Sequence, residues 1–238
     1  MKSKPVSEAK FDCRKSDLTQ IVAIDGPAGA GKSSVSKEVA RRMGMAFLDS
    51  GAMYRAATWW AMDQGVSLSD PEALARCTED LPLDLQHEDG DLRVVVDGRD
   101  ITDQIRTPEV TRNIKYLDGL QKVRTPLVRI QRAIAAGRPT VAEGRDMGTV
   151  VFPDARCKIY LDATIEERTR RRAGQLDAQG TPYDLGALQA DIEERDNNDM
   201  TRQVAPLQKA KDAYILDTSS LSFEEVVQEI IQQAEAVL

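Results

Sequence analysis

Gly26, Pro27, Ala28, Gly29, Ala30, Gly31, Lys32 and Ser33 fill every fixed position of the pattern GxxxxGK[ST], and Ser34 follows them. An apolar, strand-like run precedes the segment and a helical pattern succeeds it, which is the context such a loop requires. The glycines let the backbone curl until successive N–H groups and the N-terminus of the next helix face one anion. Lys32 then reaches the β and γ phosphates of a nucleoside triphosphate, and the Ser33 hydroxyl can ligate Mg2+, partly through water. These residues predict a cradle for ATP and its Mg2+. They leave the reaction open, because motors, switches, transporters and kinases share that cradle.

Six arginines, Arg55, Arg124, Arg145, Arg171, Arg195 and Arg202, stand where the pattern returns from strand or helix to loop, on a chain of formal net charge −7. A guanidinium stays charged and grips phosphate oxygens bidentately, so these positions predict a second phosphate site. Arg168, Arg171 and Arg172 fall at i, i+3 and i+4 and share a helix face. They repel one another unless an anion, or a carboxylate such as Glu166 or Glu167, lies between them. Phosphoryl transfer calls for such positive charge, since two polyanions must meet in line. An acceptor phosphate, with a second pKa of about 6, is largely ionised at neutral pH and needs no strong base. The near absence of histidine fits that chemistry; His87, the only one, is expected at the surface of a hairpin.

Composition narrows the classes further. The chain has 238 residues, 41% hydrophobic and 30% charged, as a globular protein with one sizeable core does. Net negative charge argues against nonspecific binding to nucleic acid or an anionic membrane. Cys13, Cys77 and Cys157 are odd in number and far apart, so neither a disulfide framework nor a zinc site is supported. No apolar run reaches the ~18 residues of a membrane span, and the start of the chain lacks the apolar stretch of a signal peptide, so a cytoplasmic protein is expected.

The elements that must position these residues follow from the apolar pattern. Short runs at 21–24, 46–48, 140–142, 158–161 and 213–216 read as buried parallel strands. Helical patterns occupy 32–43, 52–62, 71–78, 120–136, 165–176, 185–195 and 223–236, with Pro71 and Gly137 as start and stop signals. Alternation of strand and helix predicts an α/β fold with a three-layer core of about five parallel strands. Residues 1–18 read as a flexible tail and 19–238 as one domain. Within it, about 66–107 is expected as an insertion with β-hairpins, because β-rich runs at 83–87 and 92–96 are separated by turn residues.

Five segments, IDGPAGAGKS (24–33), LDSGAMYR (48–55), EGRDMGTVVFPD (143–154), ERDNND (194–199) and VAPL (204–207), carry a family resemblance. From about residue 20 to the C-terminus the chain resembles the bacterial cytidylate kinases, which are nucleoside monophosphate kinases. The resemblance implies transfer of the γ-phosphoryl group of ATP to CMP or dCMP by a monomer; the nearest alternative is a P-loop kinase for another small acceptor such as UMP. It implies that 66–107 binds the monophosphate and that a short arginine-bearing lid spans about 168–180. It assigns Asp49, Ser50, Tyr54, Arg55 and Arg124 to the border of the acceptor nucleotide. Arg145 and Asp146 would hold its phosphate and its sugar or base edge, and Arg195, Asp199 and Arg202 would complete that pocket. Arg171 would close over the triphosphate, and Lys32, Arg145, Arg171 and Arg195 would be catalytic. Two departures stand out. Glu143 occupies a position where aspartate is expected, and Lys115 and its neighbours replace the small hydroxyl residues that follow the Arg-Thr-Pro-Glu-Val segment in the family.

Overall fold

The computed structural model describes residues 20–88 and 91–238; the expected tail and Cys13 lie outside them, as does the side chain of His87. In chain order, β1 (Ile21–Asp25) leads into α1 (Lys32–Met43), and β2 (Ala46–Asp49) into α2 (Ser50–Asp63). The middle of the chain forms α3 (Pro71–Glu79), β3 (Leu83–Glu88), β4 (Asp91–Val96), β5 (Arg99–Asp100) and α4 (Pro108–Asn113). The remainder forms α5 (Gln121–Ala135), β6 (Thr140–Gly144), β7 (Cys157–Asp162), α6 (Ile165–Ala178), α7 (Leu185–Thr201), β8 (Tyr214–Asp217) and α8 (Phe223–Glu235).

The main sheet runs in the order β2-β6-β1-β7-β8, every pairing parallel. A parallel sheet needs cover on both faces. Alternate residues of β1 show how that is met: Val22 and Ile24 pack with Val35 and Val39 of α1 and Val227 and Ile230 of α8, whereas Ile21 and Ala23 pack with Met53, Ala135, Met147 and Phe152. The result is the expected three-layer α/β core with β1 at its centre. A second sheet, β3-β4-β5, is antiparallel and packs through Val94, Val96 and Ile101 against Ala57, Leu74 and Leu127 of α2, α3 and α5.

Local chemistry accounts for the element ends that periodicity missed. Helix α2 begins at Ser50 rather than 52, because the Asp49 carboxylate caps it by accepting the Ala52 N–H at 2.7 Å. Short α4 starts at Pro108 after the cap Thr107, and helical turns at Gln104–Arg106 and Ile114–Tyr116 flank it. None of these pieces is long enough to show a 3.6-residue stripe. Helix α7 continues past 195 to Thr201, which places Asp196 and Asp199 on helical turns.

Most of the stretch expected as a lid is helical, in α6, which lies along α7. Arg168 is buried there, donates to the carbonyls of Ala163 and Ala28 at 3.0 Å each, and pairs with Asp196. The other oxygen of Asp196 accepts the Ala28 N–H at 2.9 Å. Two of the three neighbouring arginines find counter-charges in the protein, Arg168 in Asp196 and Arg171 in Glu167 at 2.8 Å, whereas Arg172 donates to the neutral amide of Gln175 at 3.0 Å. Arg168 and Asp196 thus clamp the phosphate loop from behind.

Removing one partner of a buried pair leaves the other charge stranded. Asp196→Ala should lower unfolding free energy by about 3–5 kcal/mol in urea titration. The double change Arg168→Met with Asp196→Leu should lose less than Asp196→Ala alone; an equal or greater loss would show that the pair is not what the single variant disrupts.

Candidate active site at the carboxyl ends of the strands

The loop after β1 turns at Gly26, whose φ of 153° and close approach to β7 exclude a side chain: a Cβ there would lie 2.1 Å from the Leu161 carbonyl oxygen. Lys32 and Ser33 then open α1. Lys32 is buried, and its Nζ donates to the Pro27 carbonyl at 2.8 Å. Ser33 Oγ donates to Glu143 Oε1, on the neighbouring strand β6, at 2.6 Å. Asp25, the last residue of β1, accepts the N–H groups of Met147 and Gly148 at 2.8 Å each. Those two residues begin a π-helical turn, Met147–Val151, that follows Arg145 and Asp146. One carboxylate thus ties the strand leading into the phosphate loop to the turn that presents Arg145.

Charges in this crevice are held away from their ordinary states. Burial first, and then the Arg145 charge, drive the Lys32 ammonium downward, while Glu143 draws it back. Burial first, and then Asp49, push the Glu143 carboxyl upward. Burial raises Asp25 to about 6 despite its two backbone N–H partners. Burial pulls the Arg145 guanidinium down, but Asp199, which accepts its Nε–H at 2.7 Å, and Glu143 outweigh that and hold it up. Arg195 is exposed as a residue, but its guanidinium is pulled down by its crowded surroundings first and then by Arg145, while Asp199 draws it back; it makes no hydrogen bond or ion pair with the described residues. Lys32 and these arginines press on one another across one gap.

Beside them lies a pocket in which positive and negative charge balance. Tyr54 of α2 is buried, and the Arg124 guanidinium sits 5.2 Å over its ring. Arg124, buried on α5, pairs with Asp146 and donates to the Asp118 carbonyl at 2.9 Å. Arg202 Nη1 stands 3.5 Å from Asp118 and 3.6 Å from Asp199, while its Nε donates to the Ala205 carbonyl at 2.7 Å. The Tyr54 hydroxyl, Arg55 Nε and Arg202 Nη2 are buried without a protein partner. Gly144 closes the pocket against Ser50, for a Cβ there would meet the Ser50 hydroxyl at 2.6 Å.

The structure therefore brings Lys32, Ser33, Arg145, Arg195, Asp199, Arg202, Tyr54, Arg55, Arg124 and Asp146 around one crevice. Asp49 caps α2 and holds Arg55 at 3.3 Å. Arg171 reaches the phosphate loop from α6, donating to the Ala30 carbonyl at 3.2 Å and to Thr218. Sequence reasoning passed over Asp25, Asp118 and Asp196, whose partners lie 122, 84 and 28 residues away along the chain. Ser33 and Glu143 set two hard oxygens side by side, a donor set that fits Mg2+, which takes one or two protein ligands besides phosphate oxygens and water.

A raised carboxyl binds its proton more readily in the folded than in the unfolded chain, so it subtracts stability as pH rises through that interval. For Glu143 the interval runs from 4.5 to about 7. Glu143→Gln should melt at a higher temperature than the parent above pH 7, with the gap closing toward the acid end. A gap that is constant with pH would contradict the assignment.

Residues 22–236 match the family model described as cytidylate kinase. The chain is 42% identical over 211 residues to the cytidylate kinase of Lactobacillus johnsonii, covering 89% of this chain and 92% of that protein. It is 51% identical over 209 residues to the bifunctional pantoate ligase/cytidylate kinase of a Synechococcus species, covering 87% of this chain but 43% of that protein. For the corresponding protein of Synechococcus elongatus the identity is 48% over 217 residues, with 89% and 41% covered. The chain thus spans less than half the length of these bifunctional relatives. With the phosphate loop, the converging arginines and a match along nearly its whole described length, the chain belongs to the cytidylate kinase family.

Proposed function

We propose that this chain transfers the γ-phosphoryl group of ATP to CMP or dCMP, releasing ADP and CDP or dCDP. The observation that carries the reading is the set of cations, Lys32, Arg55, Arg145 and Arg195, that repel one another across the crevice between the phosphate loop and the charge-balanced pocket. Such an arrangement is relieved by phosphates entering from both sides.

The loop N–H groups and Lys32 bind the triphosphate, and Arg145 and Arg195 draw the acceptor phosphate toward it. An oxygen of that phosphate attacks the γ-phosphorus, the bond to the β-phosphate oxygen breaks, and ADP leaves with the electron pair. No protein base is required, since the attacking oxygen is already ionised. Burial pushes the Tyr54 hydroxyl up, so it stays protonated and serves as a donor. Asp146 and Asp199 supply acceptors for the cytosine amino group or sugar hydroxyls, which an all-cationic pocket could not read. Ser33 and Glu143 would hold Mg2+, which offsets charge on the β and γ oxygens when bound. A cytoplasmic monomer suits substrates of this kind. Among the described residues no helix is long and apolar enough to cross a membrane. The names of the family model and of the relatives do not favour UMP as the preferred acceptor.

ADP release from Mg-ATP, followed in parallel with CMP, dCMP, UMP, AMP and GMP, should be fast with the two cytidine nucleotides. Silence with all five would refute the assignment. Lys32→Ala should abolish transfer while the fold survives. Arg145→Ala should lower kcat/KM for CMP by about a hundredfold or more, the scale expected for losing a phosphate-stabilising guanidinium. Near-normal turnover in either variant would remove the role given to that residue.

A further inference from the structure

Asp118 lies just beyond the helical turn Ile114–Tyr116, in the segment where the chain departs from its family's pattern, and no motif marks it. Its main chain and side chain nevertheless hold two arginines of the pocket. Its carbonyl accepts Arg124 Nη1 at 2.9 Å, and its carboxylate stands 3.5 Å from Arg202 Nη1, almost the separation at which Asp199 holds the same nitrogen from the other side. Arg202 is thus suspended between two carboxylates, with its Nη2 buried and unpartnered.

The location is informative. An additional carboxylate facing the acceptor phosphate would oppose binding, so its place is at the other end of the nucleotide. Around Tyr54 the charges are Arg124, Asp146, Arg202 and Asp118, a set that balances donors against acceptors, as recognition of a sugar and a base edge requires, while Asp199 and Arg145 link it to the phosphate end.

We infer that Asp118 is a positioning residue of the acceptor pocket, which shares Arg202 with Asp199 and steadies Arg124, and so sets the guanidinium groups that meet the sugar and base end of a nucleoside monophosphate. The inference rests on the reading of this pocket as the acceptor site. The groups that face Asp118 are Arg202 and Asp199 from the end of α7, Arg124 from α5, Arg145 after β6 and Tyr54 from α2. Burial, with Asp199, raises its carboxyl above the ordinary range while the arginines draw it down. The hold on Arg202 should therefore weaken as pH falls and the carboxyl takes up its proton.

The test compares the parent chain with Asp118→Asn and Asp118→Glu by steady-state kinetics across pH, with thermal unfolding of each. Asp118→Asn should raise KM for CMP about fivefold, the scale of one lost ion pair, and leave KM for ATP unmoved. It should also lessen the acidic fall in kcat/KM for CMP, leaving the part set by the acceptor phosphate with its second pKa of about 6, and Asp118→Glu should restore part of both. An unchanged KM for CMP with the acidic fall undiminished would overturn the inference. So would a variant that melts earlier and loses affinity for ATP and CMP alike, since that is a packing role. Absence of turnover by the parent chain with every nucleoside monophosphate would instead overturn the reading beneath it.

Discussion

Positive charge held against positive charge, at the carboxyl ends of β1 and β6, is the constraint around which the molecule is arranged. A chain of net −7 gathers Lys32, Arg55, Arg145 and Arg195 at one crevice, where burial and then the Arg145 charge lower the hold of Lys32 and Arg195 on their protons. That arrangement stores unfavourable energy in the free protein, and phosphate ligands release it. Asp199 and Glu143 temper the repulsion without cancelling it, for Arg195 is left with no protein partner among the described residues.

Such a site demands a stiff frame, because repelling groups move apart unless they are braced. The bracing comes from carboxylates used as struts. Asp25 ties the strand before the phosphate loop to the turn after Arg145 through two 2.8 Å bonds. Asp196 and Arg168 fix Ala28 by both its N–H and its carbonyl, and Arg171 holds the Ala30 carbonyl. Each strut joins elements distant in sequence but adjacent at the sheet's carboxyl edge, the position where open α/β sheets bind ligands. Strand order β2-β6-β1-β7-β8 makes this possible, since it sets β6 directly beside β1 and brings residues 143–146 against residues 25–33.

Much of this was legible in the sequence, for identifiable physical reasons. The five parallel strands announced themselves as apolar runs, although the edge strand β8 is mostly exposed, and the phosphate loop as a pattern whose glycines are forced by backbone geometry, as Gly26 against Leu161 shows. The arginines were readable only as a group and through the motifs that carry them, because a single arginine at a loop boundary is more often a solvated surface charge. What could not be read was partnership. Arg168 has the same spacing as Arg171 and Arg172 whether it meets an anion or a buried aspartate; only the packing of α6 on α7 decides that it clamps the loop. Asp25, Asp118 and Asp196 look like ordinary acidic residues until the fold brings their partners to them. The short helix α4 and the π-helical turn escaped because their ends are set by a cap and by the Asp25 tie rather than by an apolar stripe.

The central claim is that one crevice holds two sets of phosphates at once. Isothermal titration with a single molecule in which adenosine and cytidine are joined through a five-phosphate bridge tests it most directly. The account predicts one molecule bound per chain, far more tightly than ATP or CMP alone, with the advantage shrinking as salt screens the arginines. Binding no tighter than that of ATP would show that the two phosphate sites do not face each other, and the account would fail.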